Sequence, residues 1–151
     1  MFMKLGTSDS YGGAIYSHKS NLTIHVSTFD SNHAHSGGAI HINCPLPDMC
    51  EYLIHNTSLI NNTADLQGGA IHYYDFWPTI THTQFIDNTG PYGHDIGSYA
   101  SGYVINGITD KHMTQVASGQ SIEQTITVKL VDYDNQVVSI DSTSTVELSA
   151  N

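Results

Sequence analysis

One tetrapeptide recurs unchanged and constrains the fold more than any other feature of the sequence. It reads Gly12-Gly13-Ala14-Ile15, returns at 37–40 and at 68–71, and has a diverged copy, Gly-His-Asp-Ile, at 93–96. The steps between the first glycines are 25, 31 and 25 residues. A period this regular predicts a repeat architecture, in which each unit buries its apolar face against its neighbours.

A second motif runs in phase with the first. An apolar residue is followed three positions later by asparagine, and the apolar residue lies 17, 22 and 17 residues after the first glycine of its unit. The segment that precedes Phe29 alternates apolar and polar residues, which is typical of a strand. Glycine pairs and asparagine-rich turns leave no room for a helix of several turns. Each unit is therefore predicted to form two or three short strands, and the units to stack as a solenoid of parallel strands.

Stacking predicts columns of equivalent side chains, about 4.8 Å apart from coil to coil. One internal column is aliphatic, one follows the apolar anchors, and a third consists of asparagines expected in left-handed turns. The paired glycines are expected to form a corner. The members of these ladders are Ile15, Ile40, Ile71 and Ile96; Phe29, Leu59 and Phe85; and Asn32, Asn62 and Asn88.

The motifs divide the chain into four stretches. Residues 1–11 are small and polar and are predicted to be an irregular lead-in, and 12–99 form the repeats. Residues 100–120 are a transition. Residues 121–151 alternate without the motif and predict a partial β-sandwich-like antiparallel segment, either a truncated module or a cap on the last coil. The sequence is expected to be a piece of a longer protein.

Cysteines and sequons point towards an oxidising compartment. Cys44 and Cys50 lie in the inserted residues of the long unit, where they would close a small disulfide hairpin or remain free thiols. Asn-x-Ser/Thr sequons at Asn21, Asn56 and Asn61 are candidate glycosylation sites, although a chain rich in these residues also produces sequons by chance. We predict an extracellular or cell-surface location.

Charge excludes one class of function. The chain has 14 acidic residues against 4 lysines and no arginine, a formal charge of −10. Nucleic-acid binding needs a basic face and is not expected. No apolar run approaches the length of a membrane span, which leaves open an anchor elsewhere in a longer protein.

Several groups of residues are candidate chemical sites. Asp30 and Asp87, taken as equivalent positions two coils apart, would suit a carboxylate pair, but aspartate in a turn explains both. The in-register pairs His25/His55 and His41/His72 lack a third metal ligand, so outward polar ladders are favoured. A calcium site among Asp132, Asp134, Asn135 and Asp141 is less expected than a turn. The aromatic cluster Tyr73, Tyr74, Phe76 and Trp77 is either a binding patch or packing at a corner.

The joint recurrence of Gly-Gly-Ala-Ile and Phe-x-x-Asn over residues 12–96 resembles the polymorphic outer-membrane protein repeats of chlamydial autotransporters and of large protist surface proteins. That resemblance implies a right-handed parallel β-helix of about four coils. It also implies adhesins or surface-coat proteins. Residues 113–149, with Val116-Ala117-Ser118-Gly119-Gln120 and Val128-Lys129-Leu130-Val131-Asp132, are similar to the opening strands of immunoglobulin-like modules.

The sequence thus predicts an all-β chain, a non-enzymatic structural or adhesive repeat region with no cofactor and no metal. Its expected partner is an extracellular protein or a glycan. The alternative is a carbohydrate-active or carbohydrate-binding β-helix whose catalytic part lies outside this stretch.

Overall fold

The computed structural model describes residues 1–45, 49–106 and 126–147, and it is an all-β parallel solenoid of about four coils. The chain passes in turn through three parallel sheets. Sheet A contains β1 (Phe2–Lys4), β4 (Leu22–Asp30), β7 (Tyr52–Ile60), β10 (Thr79–Thr81) and β11 (Gln84–Ile86). Sheet B contains β2 (Thr7–Tyr11), β5 (His33–Ser36) and β8 (Thr63–Gln67). Sheet C contains β3 (Ile15–His18), β6 (Ile40–Asn43), β9 (Ile71–Tyr74) and β12 (Ile96–Ser98). Two further strands, β13 (Ala100–Asn106) and β14 (Thr127–Asp132), form an antiparallel pair.

The predicted parallel solenoid is confirmed, and coils 1 to 3 each contribute strands to three sheets, within the predicted two or three strands per unit. The expectation of an irregular lead-in at 1–11 was wrong. Strands β1 and β2 fill this stretch and, with β3, make coil 1, in register with the strands of coil 2. The sequence carries a weak trace of this coil, because Met3 and Gly6 stand three positions apart, where later coils have an apolar residue and asparagine.

The apolar columns form the core that the period predicts. Ile40 pairs with Ile15 on one side and with Ile71 on the other, and Phe29 pairs with Leu59. These side chains are completely buried in the two middle coils, whereas the column members of the end coils, such as Ile15 and Phe85, are only partly buried. A coil therefore reaches full burial only when a neighbour covers each of its faces.

The corner between sheets B and C is built from the paired glycines. The first glycine of each pair adopts a positive φ, for example 68° at Gly37. The second is required for close approach, because a Cβ on Gly38 would lie 2.2 Å from the carbonyl oxygen of Gly69 in the next coil. Both glycines are thus fixed by the backbone, and neither leaves a side chain for contact with another molecule.

The corner between sheets A and B differs from the prediction by one position. The residues with positive φ are Ser31, Asn61 and Asp87, each of which immediately precedes the asparagine expected there. The asparagine cannot occupy the left-handed turn position because its side chain points inward, where Asn32 and Asn62 are almost fully buried.

The buried asparagines form a continuous hydrogen-bonded ladder along the solenoid. Asn32 Nδ2 donates to Asn62 Oδ1 at 2.9 Å, and Asn62 Nδ2 donates to Asn88 Oδ1 at 3.0 Å. Each side-chain oxygen also accepts the backbone N–H of the preceding coil, and the Nδ2 of Asn62 also donates to the carbonyl of Phe29. Every buried amide in the ladder is therefore satisfied as both donor and acceptor.

Replacing Asn62 with alanine is expected to lower the free energy of unfolding by about 3–5 kcal/mol, because several buried donors and acceptors lose their partner together. Asn62→Asp keeps the shape but removes both donors, so its loss should be at least as large. Urea unfolding measures both. The control is Asn61→Gly, which removes an exposed amide and keeps the positive φ; losses of equal size in control and test would contradict the ladder's role.

The fourth coil departs from the motif at the end of the described stack. His94 replaces the second glycine, and its own carbonyl oxygen is the atom that a Cβ on Gly69 would strike. Asp95 replaces alanine and ends the asparagine ladder, since its Oδ1 accepts from Asn88 Nδ2 at 3.0 Å. The divergence of this copy is thus a termination signal.

Residues 100–106 are not the transition that the sequence predicted, because β13 pairs antiparallel with β14 there. This hairpin and the turn after it cover coil 4. The buried carboxylate of Asp132 accepts from Tyr92 Oη at 2.9 Å and from the backbone N–H groups of Asp134 and Gln136 at 2.9 and 2.8 Å. Gln136 Nε2 in turn donates to the Ile96 carbonyl at 2.9 Å. The described part of the segment is therefore a cap; the immunoglobulin-like resemblance at 116–120 lies outside the described residues.

Replacing Asp132 with alanine should destabilise the protein by about 3 kcal/mol, because the donors that it satisfies are buried against coil 4. Hydrogen exchange should show the loss first at the amides of β13 and β14. Asp141→Ala is the control, since Asp141 accepts only from neighbours in its own turn. Unchanged exchange in the hairpin of the Asp132 variant would argue against the clamp.

Candidate functional site

The repeated motif is not itself available to a partner. Ala39, Ile40, Ala70 and Ile71 have no exposed surface, and the glycines beside them contact neighbouring backbone. Any recognition by this chain must therefore use the outward positions of the sheets and the loops between them.

The aromatic cluster predicted at 73–77 is divided by the structure. Tyr73 is fully buried, and its hydroxyl donates to Asp134 in the cap at 3.0 Å. Phe76 packs against the core, and Trp77, 53% exposed, meets the Tyr73 ring in a T-shaped contact. Tyr74 instead packs on Tyr99, with ring centroids 4.3 Å apart. The four residues therefore do not form one surface patch.

A different set of rings lies together on the outer face of sheet C. Tyr16 of coil 1, His41 of coil 2 and His72 of coil 3 succeed one another in register. Tyr11 covers His41 at a centroid distance of 4.4 Å, and Tyr99 meets His72 edge-on at 5.0 Å. With Tyr74 these rings form what we call the aromatic strip: Tyr11, Tyr16, His41, His72, Tyr74 and Tyr99. The sequence prediction missed it because Tyr11 and Tyr99 lie outside the repeated motifs.

The two histidines of the strip are buried, contrary to the outward ladder expected for them. Their Nδ1 atoms are 3.0 Å apart, so one must donate and the other accept, and the neutral rings adopt opposite tautomers. Desolvation lowers the pKa of His41 to about 4. The same cause, with repulsion from His41, lowers the pKa of His72 to about 3. His72 Nε2 is buried without a hydrogen-bond partner. The pair is neutral throughout the neutral pH range.

A shallow groove of about 390 Å³ adjoins the strip, between the solenoid and the cap. Tyr11 and Tyr99 form one side of it. His35 and Gln67 of sheet B lie beside them, and Leu130 and Asp141 close the groove from the hairpin side. Bonds from Ser144 and Thr143 hold the pKa of Asp141 below its usual value, so its carboxylate is ionised at neutral pH. The groove thus combines two aromatic rings on one side with a few polar groups.

The carboxylate pair considered from the sequence does not exist as such. Asp30 stacks on Ile60, and Ile60 stacks on Ile86, so Asp30 and Asp87 are not equivalent positions. Asp30 instead pairs with Lys4 at 3.0 Å. Asp87 occupies the positive-φ corner, which agrees with its interpretation as a turn residue.

The other histidine pair stays on the surface of sheet A. His25 and His55 are in register and stack with ring centroids 5.2 Å apart, and His82 meets His55 edge-on at 5.1 Å. Among the described residues, no group of three or more His, Cys, Asp or Glu side chains is placed to hold a metal ion. Asp132 and Asp134 belong to the turn that clamps the cap.

The disulfide lies in a loop of the solenoid, and the three sequon asparagines lie on its surface. Cys44 and Cys50 form a disulfide in the loop between β6 and β7. Asn21, Asn56 and Asn61 are exposed, and Asn21 Oδ1 accepts the backbone N–H of Glu51 in the next coil at 2.9 Å. Asn21 and the disulfide therefore lie at the same corner, between sheets C and A.

Two segments match a protein-family model, residues 26–43 and 56–73. Each begins at a positive-φ bend within a sheet A strand, at Val26 or Asn56, and runs through sheet B into sheet C. Both segments match the Chlamydia polymorphic membrane protein repeat. The polymorphic membrane protein repeat thus corresponds to most of coils 2 and 3, including the Phe/Leu anchor, the asparagine and the glycine pair of each. No curated protein and no solved structure is detectably similar to the chain.

No helix in the described residues is both long enough and apolar enough to cross a membrane.

Proposed function

We propose that this chain is a non-enzymatic repeat region of a secreted or surface-displayed protein, a rigid rod that presents outward side chains to an extracellular partner. The observation that carries the proposal is the use of the motif residues. The Ala-Ile and Phe/Leu motif residues of the middle coils are buried and hold the coils together, whereas less buried positions of sheet A such as Thr23/Leu53 and Asp30/Ile60 differ between coils. The match to the polymorphic membrane protein repeat supports a surface location.

The chemistry of the described residues supports a binding role over a catalytic one. Hydrolysis of glycosides uses two carboxylates about 5–9.5 Å apart. Asp132 and Asp134 lie close together in the cap. Asp132 accepts from the backbone N–H of Gln136, and Asp134 accepts from the Tyr73 hydroxyl. Asp30 is paired with Lys4. These carboxylates serve structure.

Surface labelling of intact source cells tests the location. An antibody against this region should detect a protein that a membrane-impermeant biotin reagent labels before the cells are broken. Detection only after permeabilisation would overturn the proposal. A depolymerisation screen of the purified longer protein against polysaccharides tests the enzymatic alternative, and release of reducing ends would establish it.

A further inference from the structure

We propose that the groove beside the aromatic strip is a binding site for a neutral saccharide, with Tyr11 and Tyr99 as its platform. This inference rests on the proposed display of the rod outside the cell and names the partner class that one of its faces fits. Ring geometry, the polar groups of the groove and charge each support it.

The platform rings are accessible yet held in place. Tyr11 is 40% exposed and Tyr99 37% exposed. Tyr11 packs on His41 and Tyr16, at centroid distances of 4.4 and 5.8 Å, and Tyr99 packs on His72 and Tyr74. Rings fixed in this way lose little further freedom when a ligand binds. They offer a ready apolar surface with a polar hydroxyl at its edge.

The groove also carries the polar groups that a sugar needs. One face of a pyranose ring presents weakly positive C–H groups, which complement the negative face of an aromatic ring. Its hydroxyls both donate and accept hydrogen bonds. His35, Gln67 and Asp141 offer an imidazole, an amide and a carboxylate in the same groove. Its volume of about 390 Å³ lies at the lower end of the range of about 300–1,000 Å³ for small-molecule sites. A ligand of one or two sugar rings suits that size.

Charge decides between saccharide classes. The chain has a formal charge of −10, and the groove contains the ionised Asp141. An acidic glycan would meet repulsion and find no lysine or arginine among the groove's described residues to neutralise it. A basic peptide is the competing partner. The groove offers such a peptide a single carboxylate, Asp141, whereas its two tyrosines and the Gln67 amide suit a sugar.

The test is binding of the complete chain to a panel of soluble oligosaccharides, measured by calorimetry. The neutral probes are cellotetraose, maltotetraose and lactose, and 3′-sialyllactose is the matched anionic probe for lactose. Tyr99→Leu and Tyr11→Leu keep an apolar cover over the buried histidines, and each should weaken binding of the responsive neutral sugar at least tenfold. Tyr133→Leu, an exposed tyrosine outside the groove, is the control and should leave affinity unchanged. Thermal melting checks that each variant is folded. If a tyrosine variant does not fold, His35→Ala gives a second test at an exposed residue of the groove.

Three results would overturn the inference. The first is no binding of any neutral probe by the folded chain. The second is binding that survives both tyrosine variants and His35→Ala. The third is binding of an arginine- and proline-rich peptide, but of no sugar, at the same tyrosines. None of these three results bears on the proposed surface display, which the labelling experiment tests separately.

Discussion

Alanine at Gly38 should prevent coils 2 and 3 from stacking and should cost more than about 4 kcal/mol, close to the whole stability of a domain of this size. The added Cβ would lie 2.2 Å from the Gly69 carbonyl oxygen and 2.5 Å from that of Thr63. Both obstacles are backbone, which cannot rotate away as a side chain can. Relief requires the coils to separate, and separation breaks the hydrogen bond that the Gly38 N–H donates to the Gly68 carbonyl oxygen.

Circular dichroism and urea unfolding measure this effect. Gly102→Ala is the control, because the nearest atom to its new Cβ would be a side-chain methyl of Val131 at 4.0 Å. The control should change stability by no more than about 0.5 kcal/mol. A Gly38→Ala protein with near-normal stability would show that the coils can separate at little cost in free energy, and the stated role of the glycine pair would be wrong.

Acidification from pH 8 to 4.5 is expected to remove on the order of 5 kcal/mol of stability through His41 and His72 together. Burial lowers the pKa of each imidazole in the folded state, to about 4 and about 3. The unfolded chain, with a pKa near 6.5, therefore binds protons that the folded chain does not. Stability is complete above about pH 6.5 and is lost as pH falls towards the folded values.

Asp134 acts in the opposite direction. Burial raises its pKa to about 6, so the folded state binds that proton first and recovers some stability below this pH. Comparison of variants isolates the histidine contribution. The double variant His41→Leu/His72→Leu should lose most of the acid sensitivity, because neither ring is left to protonate. The surface pair variant His25→Gln/His55→Gln is the control and should keep it.

The measurement is the urea midpoint at each pH. Parallel pH profiles for the wild type and the leucine double variant would sink the explanation. The same experiment reports on the strip, because the rings that cover the histidines must move before the buried imidazoles reach water.

The period of the sequence was enough to predict the coils, the internal ladders and the glycine corner. These features depend on contacts between equivalent residues, and equivalence is what a repeat displays. The asparagine turn was misplaced by one residue for a physical reason. The side chain of Asn62 was needed inside the ladder, so Asn61 took the left-handed conformation.

The candidate site could not be predicted in the same way. His41 and His72 are buried because Tyr11 and Tyr99 cover them, and neither tyrosine belongs to a repeated motif. Coil 1 was missed because Gly6 replaces its asparagine. Asp30 and Asp87 were equated although they differ by one register position, which is enough to place them in different columns.

The ending of the described stack at coil 4 has a consequence for assembly. A solenoid whose last coil is open presents a row of unpaired backbone groups and could add copies of itself end to end into a fibre. Here His94 stands where each of the three preceding coils has its second glycine, and the cap clamped by Asp132 covers the same end. Growth at this end is therefore blocked both by the His94 side chain and by the cap. This end of the solenoid is thus closed to the addition of further copies and does not lead to a polymer.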